Sequence, residues 1–263
     1  YYTKKGTGSP ILLIHDTLPG ASGYEWSKIE DELAIDHTVY TVDLLGCGRS
    51  DKSSITYTNF VYVQMISDFI KKIIGQKTDV IASGFSGSFV TMACHNEKEL
   101  FNKIMLVNPP SLTQLKQMPN RKDRLLKAAL EIPIFGTLVY HMIVSRDNIN
   151  NLFIEKMYYN PFHVDNQMAD AYYEAAHKGG YYTRFLYSSL AAKYININIC
   201  HALKALDNSI YIVEGETEPN GKAVTDDYCA SNPAIEVSVL KETKHLPHVE
   251  APEAFLEQVK IFF

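Results

Sequence analysis

Short runs rich in Val, Ile and Leu, each closed by Gly, Pro or Asn, recur along the chain between segments of helical spacing. That alternation is the pattern of parallel strands buried by helices on both faces. It predicts strands over residues 11–14, 38–43, 79–83, 103–107, 209–213 and 236–240. Helices are expected near 25–33, 62–74, 86–95 and 252–263. Right-handed crossovers would assemble these into an open α/β fold around a doubly wound, mostly parallel sheet. The rhythm breaks once. From Pro109 to about Leu206 the chain has no clear buried strand, only helical stretches over 121–132 and 166–177 separated by Pro133, Pro161 and Gly179-Gly180. The expected organisation is therefore one core built from residues 1–108 and 207–263, with a helical insertion over 109–206.

Candidate chemistry begins in Val80-Ile81-Ala82-Ser83-Gly84-Phe85-Ser86-Gly87-Ser88. A serine hydroxyl is a weak nucleophile and must be held out on a sharp strand-to-helix turn where a histidine can reach it. The turn tolerates only small residues at its close approaches, which Gly84 and Ser88 satisfy. The run from Phe89 to Cys94 then continues as a buried helix whose N-terminus faces the serine. Ser86 is on this reading the nucleophile.

Three further stretches stand in a fixed order around it: Pro10-Ile11-Leu12-Leu13-Ile14-His15, Asp43-Leu44-Leu45-Gly46-Cys47-Gly48-Arg49-Ser50, and Lys244-His245-Leu246-Pro247-His248-Val249-Glu250-Ala251-Pro252. With the serine turn they make the chain resemble the α/β-hydrolase fold family over nearly its whole length. The resemblance implies that the insertion forms a cap over the serine. It makes His245 the catalytic base, with His248 as a neighbouring candidate, because His245 precedes a Glu-x-Pro segment by a few residues. It puts the acid three residues after Gly215, at Glu218, with Glu216 as the other candidate. It also implies an oxyanion hole from the backbone N–H groups of Thr17 and Gly87. His15 is expected to brace the oxyanion loop through a backbone hydrogen bond, and the Asp43–Ser50 stretch to shape a turn. Two positions depart from the family pattern: Asp16 and Lys244 stand where glycine is usual. An inward Asp16 carboxylate would oppose the negative charge that an oxyanion hole stabilises.

The activity so implied is that of a cofactor-independent serine hydrolase acting on a small-molecule ester or thioester through an acyl-enzyme. The alternative is a hydrolase-like protein that binds a small ligand with little turnover. Eight tyrosines of the insertion (Tyr158, Tyr159, Tyr172, Tyr173, Tyr181, Tyr182, Tyr187 and Tyr194) suit either a pocket lining or packing of the cap onto the core. Charge narrows the field. Lys plus Arg total 25 against 30 Asp plus Glu, a net charge of -5, without the basic footprint of a nucleic-acid binder. Cys47, Cys94, Cys200 and Cys229 are too widely spaced for a zinc site and read as buried thiols in a reducing, cytoplasmic setting. No apolar run approaches the roughly 18 residues of a membrane span, and no signal peptide is visible. The chain opens at Tyr1 and runs almost directly into its first strand, where the family places an earlier hairpin, so the sequence reads as trimmed.

Overall fold

Seven strands form one sheet in the order β1-β3-β2-β4-β5-β6-β7 in a computed structural model that describes residues 1–263. They are β1 (Tyr2–Lys5), β2 (Ser9–Ile14), β3 (His37–Val42), β4 (Thr78–Ser83), β5 (Phe101–Val107), β6 (Ile210–Gly215) and β7 (Glu236–Leu240). All neighbours are parallel except β1, which runs antiparallel to β3. The six expected strands are present. The strand the apolar pattern did not announce is β1, whose sequence Tyr-Thr-Lys-Lys carries no apolar run and lies at the edge, largely exposed.

Successive side chains of a strand point to opposite faces, and here both faces are buried. Leu12, Ile14, Val80, Ala82, Ile104, Leu106, Ile210 and Ile212 feed one apolar core. Ile11, Leu13, Ile81, Met105, Val107, Tyr211 and Val213 feed the other. This explains why these strands read as unbroken apolar runs.

The helices that flank the sheet are α1 (Glu30–Leu33), α2 (Asn59–Phe69) and α3 (Ser86–Asn96). The helix expected over 25–33 is split into a 3-10 turn, Gly23–Trp26, and the single turn α1. The helix expected over 62–74 starts three residues earlier and ends in a π turn, Ile70–Ile74, closed by Gly75 at φ 75°. Between β5 and β6 the chain is helical: α4 (Leu112–Leu115), α5 (Arg121–Glu131), α6 (Phe135–Ile143), α7 (Arg146–Leu152), α8 (Asn166–His177), α9 (Arg184–Ala191) and α10 (Cys200–Ala205). α11 (Gly221–Ser231) joins β6 to β7, and α12 (Pro247–Glu250) and α13 (Pro252–Phe262) end the fold. The insertion has its own apolar cluster, including Tyr140, Phe153, Tyr158, Met168 and Tyr172, which closes against Ala21, Leu246 and Val249 of the core. Cys47 and Cys94 are buried, Cys200 and Cys229 half-buried, and all four are free thiols. No single helix is long and apolar enough to cross a membrane.

Candidate active site

The chain leaves β2 toward β3 on one side and β4 lies on the other, so the carboxyl ends of β2 and β4 flank a topological switch point. Two loops meet there. After β2 comes His15-Asp16-Thr17, fixed by the imidazole of His15, whose Nε2 accepts from Leu44 N–H at 3.0 Å. Its Nδ1, 2.6 Å from the carbonyl oxygen of Asp16, must then carry the proton and donate it. The expected bracing role of His15 is thus met. After β4 comes Gly84, at φ 52°, a backbone angle that glycine adopts without strain. Any side chain there would overlap the Asp16 carboxylate.

That carboxylate is 4% exposed and is aimed into the site. Its Oδ1 accepts from Thr17 N–H at 2.6 Å and from Phe85 N–H at 2.8 Å. Asp16 N–H itself donates to Glu25 Oε2 at 3.3 Å. The other oxygen, Oδ2, lies 3.6 Å from His245 Nε2, and on the far side of the ring Glu218 Oε1 lies 3.2 Å from Nδ1. The imidazole is therefore held between two carboxylates. Burial alone would depress its pKa, but the negative carboxylates of Asp16 and Glu218 on either side outweigh it and raise His245 from 6.5 to about 10. At neutral pH it is an imidazolium.

Asn108, at the end of β5, ties the acid loop to the histidine loop. Its side-chain N–H groups donate to the carbonyls of Lys244 and His245 at 2.8 and 2.9 Å, and its Oδ1 accepts from Gly215 N–H at 3.0 Å. Glu250 holds the same region from outside, accepting from Lys244 N–H and from Tyr159 N–H, each at 2.7 Å. His245 N–H donates to Met157 O at 3.1 Å, which pins the insertion to the histidine loop.

The arrangement differs from the expected one at the serine. Ser86 is fully buried, its hydroxyl donating to His15 O at 2.6 Å and lying 3.2 Å from Thr17 Oγ1, and it makes no hydrogen bond to His245. Asp16 stands where that partner was expected. Gly87 N–H is taken up by Gly84 O at 3.2 Å, so the outward donors are Thr17 and Phe85. The reason is register. The turn occurs two residues earlier than expected, with Ala82 and Ser86 as its small flanking residues, and Gly84 at its apex. His248 is displaced from the site. It is fully buried, stacked on Trp26 at 4.3 Å, with Nε2 3.2 Å from Glu25 Oε1. Burial pushes Glu25 up, yet the opposing bonds from His248 and Ser83 leave it below its ordinary value. Glu216 faces Glu242 N–H at 2.9 Å, away from the imidazole. Asp43 fastens its turn by accepting from Gly23 and Arg49 N–H, at 2.6 and 2.7 Å.

A cavity of about 530 Å³ opens onto Asp16, Gly84, His245 and Glu218. Its apolar wall is Leu18, Phe85, Leu152, Met157 and Val224, and polar groups such as Asn108, Gln114 and Lys156 share the lining. None of the eight tyrosines lines it. Tyr158 and Tyr172 are buried in the apolar cluster of the insertion, while Tyr159 and Tyr181 are exposed. No cluster of three or more His, Cys, Asp or Glu side chains could hold a metal ion.

The model of the alpha/beta hydrolase family matches residues 11–258. Over 113 residues the chain is 29% identical to 2-hydroxy-6-oxo-6-(2'-aminophenyl)hexa-2,4-dienoic acid hydrolase of Metapseudomonas resinovorans, a match covering 42% of this chain and 39% of that one. Over 108 residues it is 24% identical to the soluble epoxide hydrolase of a Corynebacterium species, covering 41% and 37%. The matched segments thus span about two fifths of these curated relatives. The meta-cleavage product hydrolase of Pseudomonas fluorescens superposes at a TM-score of 0.78 and 20% identity, over 100% of this chain and 93% of the other. The sheet order, the two loops at its switch point and a family match over most of the chain lead to one conclusion: the chain belongs to the alpha/beta hydrolase family.

Proposed function

We propose that the protein hydrolyses a small neutral substrate at a saturated carbon, through a covalent ester formed on Asp16. One observation carries this reading: Asp16 Oδ1 fills the pair of N–H donors from Thr17 and Phe85, while Oδ2 faces the His245 imidazolium. An acyl-transfer enzyme needs those donors empty, to receive the oxygen of the substrate carbonyl. Attack on a saturated carbon creates no such oxyanion, so the carboxylate can rest there.

An epoxide illustrates the balance of the steps. Asp16 Oδ2 attacks a ring carbon, the carbon–oxygen bond breaks, and the departing oxygen takes the proton from His245. Esterified Asp16 is uncharged, so one of the two groups that hold the imidazole proton is gone and the ring is left neutral. It can now take a proton from water as that water attacks Asp16 Cγ. The tetrahedral intermediate places its negative oxygen at Oδ1, between Thr17 and Phe85 N–H. Collapse expels the alkoxide, which takes the proton back from His245 to complete the diol, and the acid proton of the regenerated Asp16 carboxyl then passes to the neutral imidazole. Glu218 orients the ring throughout and balances its charge. An epoxide hydrolase among the relatives agrees with this substrate class. The helical insertion, which supplies Leu152 and Met157 to the cavity, serves as the cap.

The ester or thioester hydrolase with a Ser86–His245–Glu218 triad has less support, because the Ser86 hydroxyl is engaged with His15 and Thr17. A ligand-binding protein with little turnover is the second reading, favoured by the absence of any side chain at Gly84. Styrene oxide and p-nitrophenyl acetate separate the three. The proposal expects diol from styrene oxide, lost in Asp16→Asn and kept in Ser86→Ala. Ester hydrolysis that is lost in Ser86→Ala, with phosphonate labelling of Ser86, would restore the serine triad, and binding without turnover of either probe would favour the second reading.

A further inference from the structure

The insertion exposes an apolar corner that the cavity does not use. α5 and α6 meet at 97°. Leu125, Ile132, Ile134, Phe135, Leu138 and Met142, on both helices and the turn between them, are each more than half exposed. The turn is unusual for its residue. Ile134 has φ 68° and ψ -66°, and Phe135 N–H donates to Pro133 O at 2.8 Å, which is a γ-turn with a β-branched residue at its strained centre. That backbone thrusts Ile134 outward, 77% exposed, at the tip of a convex wedge.

Cations gather in the same stretch of chain, at the start of α5. From Lys116 to Met142 five lysines and arginines stand against two acidic residues, in a chain whose net charge is -5. The two acids are already engaged, Asp123 with Lys193 and Glu131 with Lys127. Lys116, Arg121, Lys122 and Arg124 are exposed and their side chains make no ion pair or hydrogen bond.

We propose that the α5–α6 corner docks on an anionic lipid surface, with Ile134, Phe135 and Leu138 sunk among the acyl chains and the free cations at the headgroups. An apolar face beside a basic one is the pattern of elements that lie in the membrane interface. The convex shape suits a fluid layer, which closes around a wedge. A second copy of the chain fits less well, since a two-fold contact would set these unpaired cations against each other. Neither helix alone is long enough to span the bilayer and the two are bent by 97° at the turn between them, so the attachment we propose is peripheral.

Co-sedimentation with vesicles tests this, using phosphatidylcholine with and without phosphatidylglycerol. The protein should bind the anionic vesicles, less at high salt, and only weakly the pure phosphatidylcholine. Lys122→Ala together with Arg124→Ala should weaken binding about 25-fold, at about fivefold for each cation. Leu138→Glu should abolish it. Leu125→Glu with Phe135→Glu provides a second charged variant, which leaves the strained position untouched. No sedimentation with anionic vesicles, or equal sedimentation of the charged variants with an intact circular dichroism spectrum, would overturn the proposal. So would a dimer in vesicle-free buffer that Leu138→Glu dissociates, since the corner would then be a self-association surface.

Discussion

In the proposed mechanism Asp16 is the residue that reacts. Its carboxylate takes both backbone donors of the hole and faces His245, so removing its charge should cost far more than removing the Ser86 hydroxyl. We expect Asp16→Asn to lower turnover of an epoxide probe by at least about a thousandfold, the scale seen when the reacting group of a catalytic unit is deleted. Ser86→Ala should lower it by less than tenfold and destabilise the fold by about 1–3 kcal/mol, because His15 O loses a buried partner. Steady-state kinetics and denaturant titration of the two variants check this ordering. A sharper exchange is also available. Gly84 is at the apex of the turn and Asp16 fills the space a side chain there would need. Asp16→Gly combined with Gly84→Ser should empty the hole and supply a serine at the apex, so the double variant should gain p-nitrophenyl acetate hydrolysis that neither single variant shows. Measurable esterase activity in Asp16→Gly alone would mean that another nucleophile is present.

At the scale of elements, the loops after β2, β4, β6 and β7 depend on close backbone approaches. Gly215 ends β6 where a Cβ would overlap the carbonyl oxygen of Lys244, one residue before His245. Gly215→Ala should separate the acid and histidine loops, destabilise the protein by about 1–3 kcal/mol and reduce kcat more than it raises KM. Thermal melting and kinetics together would show it. The sequence made the buried strands legible because both faces of the sheet are apolar, and it singled out Glu218 and His245, which the loops after β6 and β7 bring within 3.2 Å of each other. It misplaced the turn after β4. Residues 82–88 offer a small residue at nearly every position, so the string fits a turn centred on Ser86 as readily as one centred on Gly84. Only the backbone angle at Gly84 separates the two. Asp16 was visible as a departure, but its contact with Phe85 N–H joins residues 69 apart in the chain, which no local pattern encodes. β1 went unseen because an exposed edge strand needs no apolar face.

For the molecule as a whole, the Asp16–His245–Glu218 cluster, buried at Asp16 and half-buried at the other two, links charge to stability. The folded-state pKa of His245 is raised from 6.5 to about 10. Its stabilising contribution is therefore full below the ordinary histidine value and is lost as pH rises through about 10. Between those limits the stability of the native protein should fall relative to His245→Gln, as measured by denaturant midpoints across the window. Epoxide opening should follow the same sign, declining as pH rises through about 10, because the imidazolium supplies the proton to the opening oxygen.

The most direct test of the account follows the oxygen atoms. If Asp16 forms the ester and water then attacks its Cγ, turnover of styrene oxide in heavy-oxygen water must leave labelled oxygen in the Asp16 side chain. Peptide mass spectrometry after many turnovers should find that label on the peptide carrying Asp16 and on no other carboxylate. Diol formed without label at Asp16, or no diol at all from an enzyme shown to be folded, would contradict it.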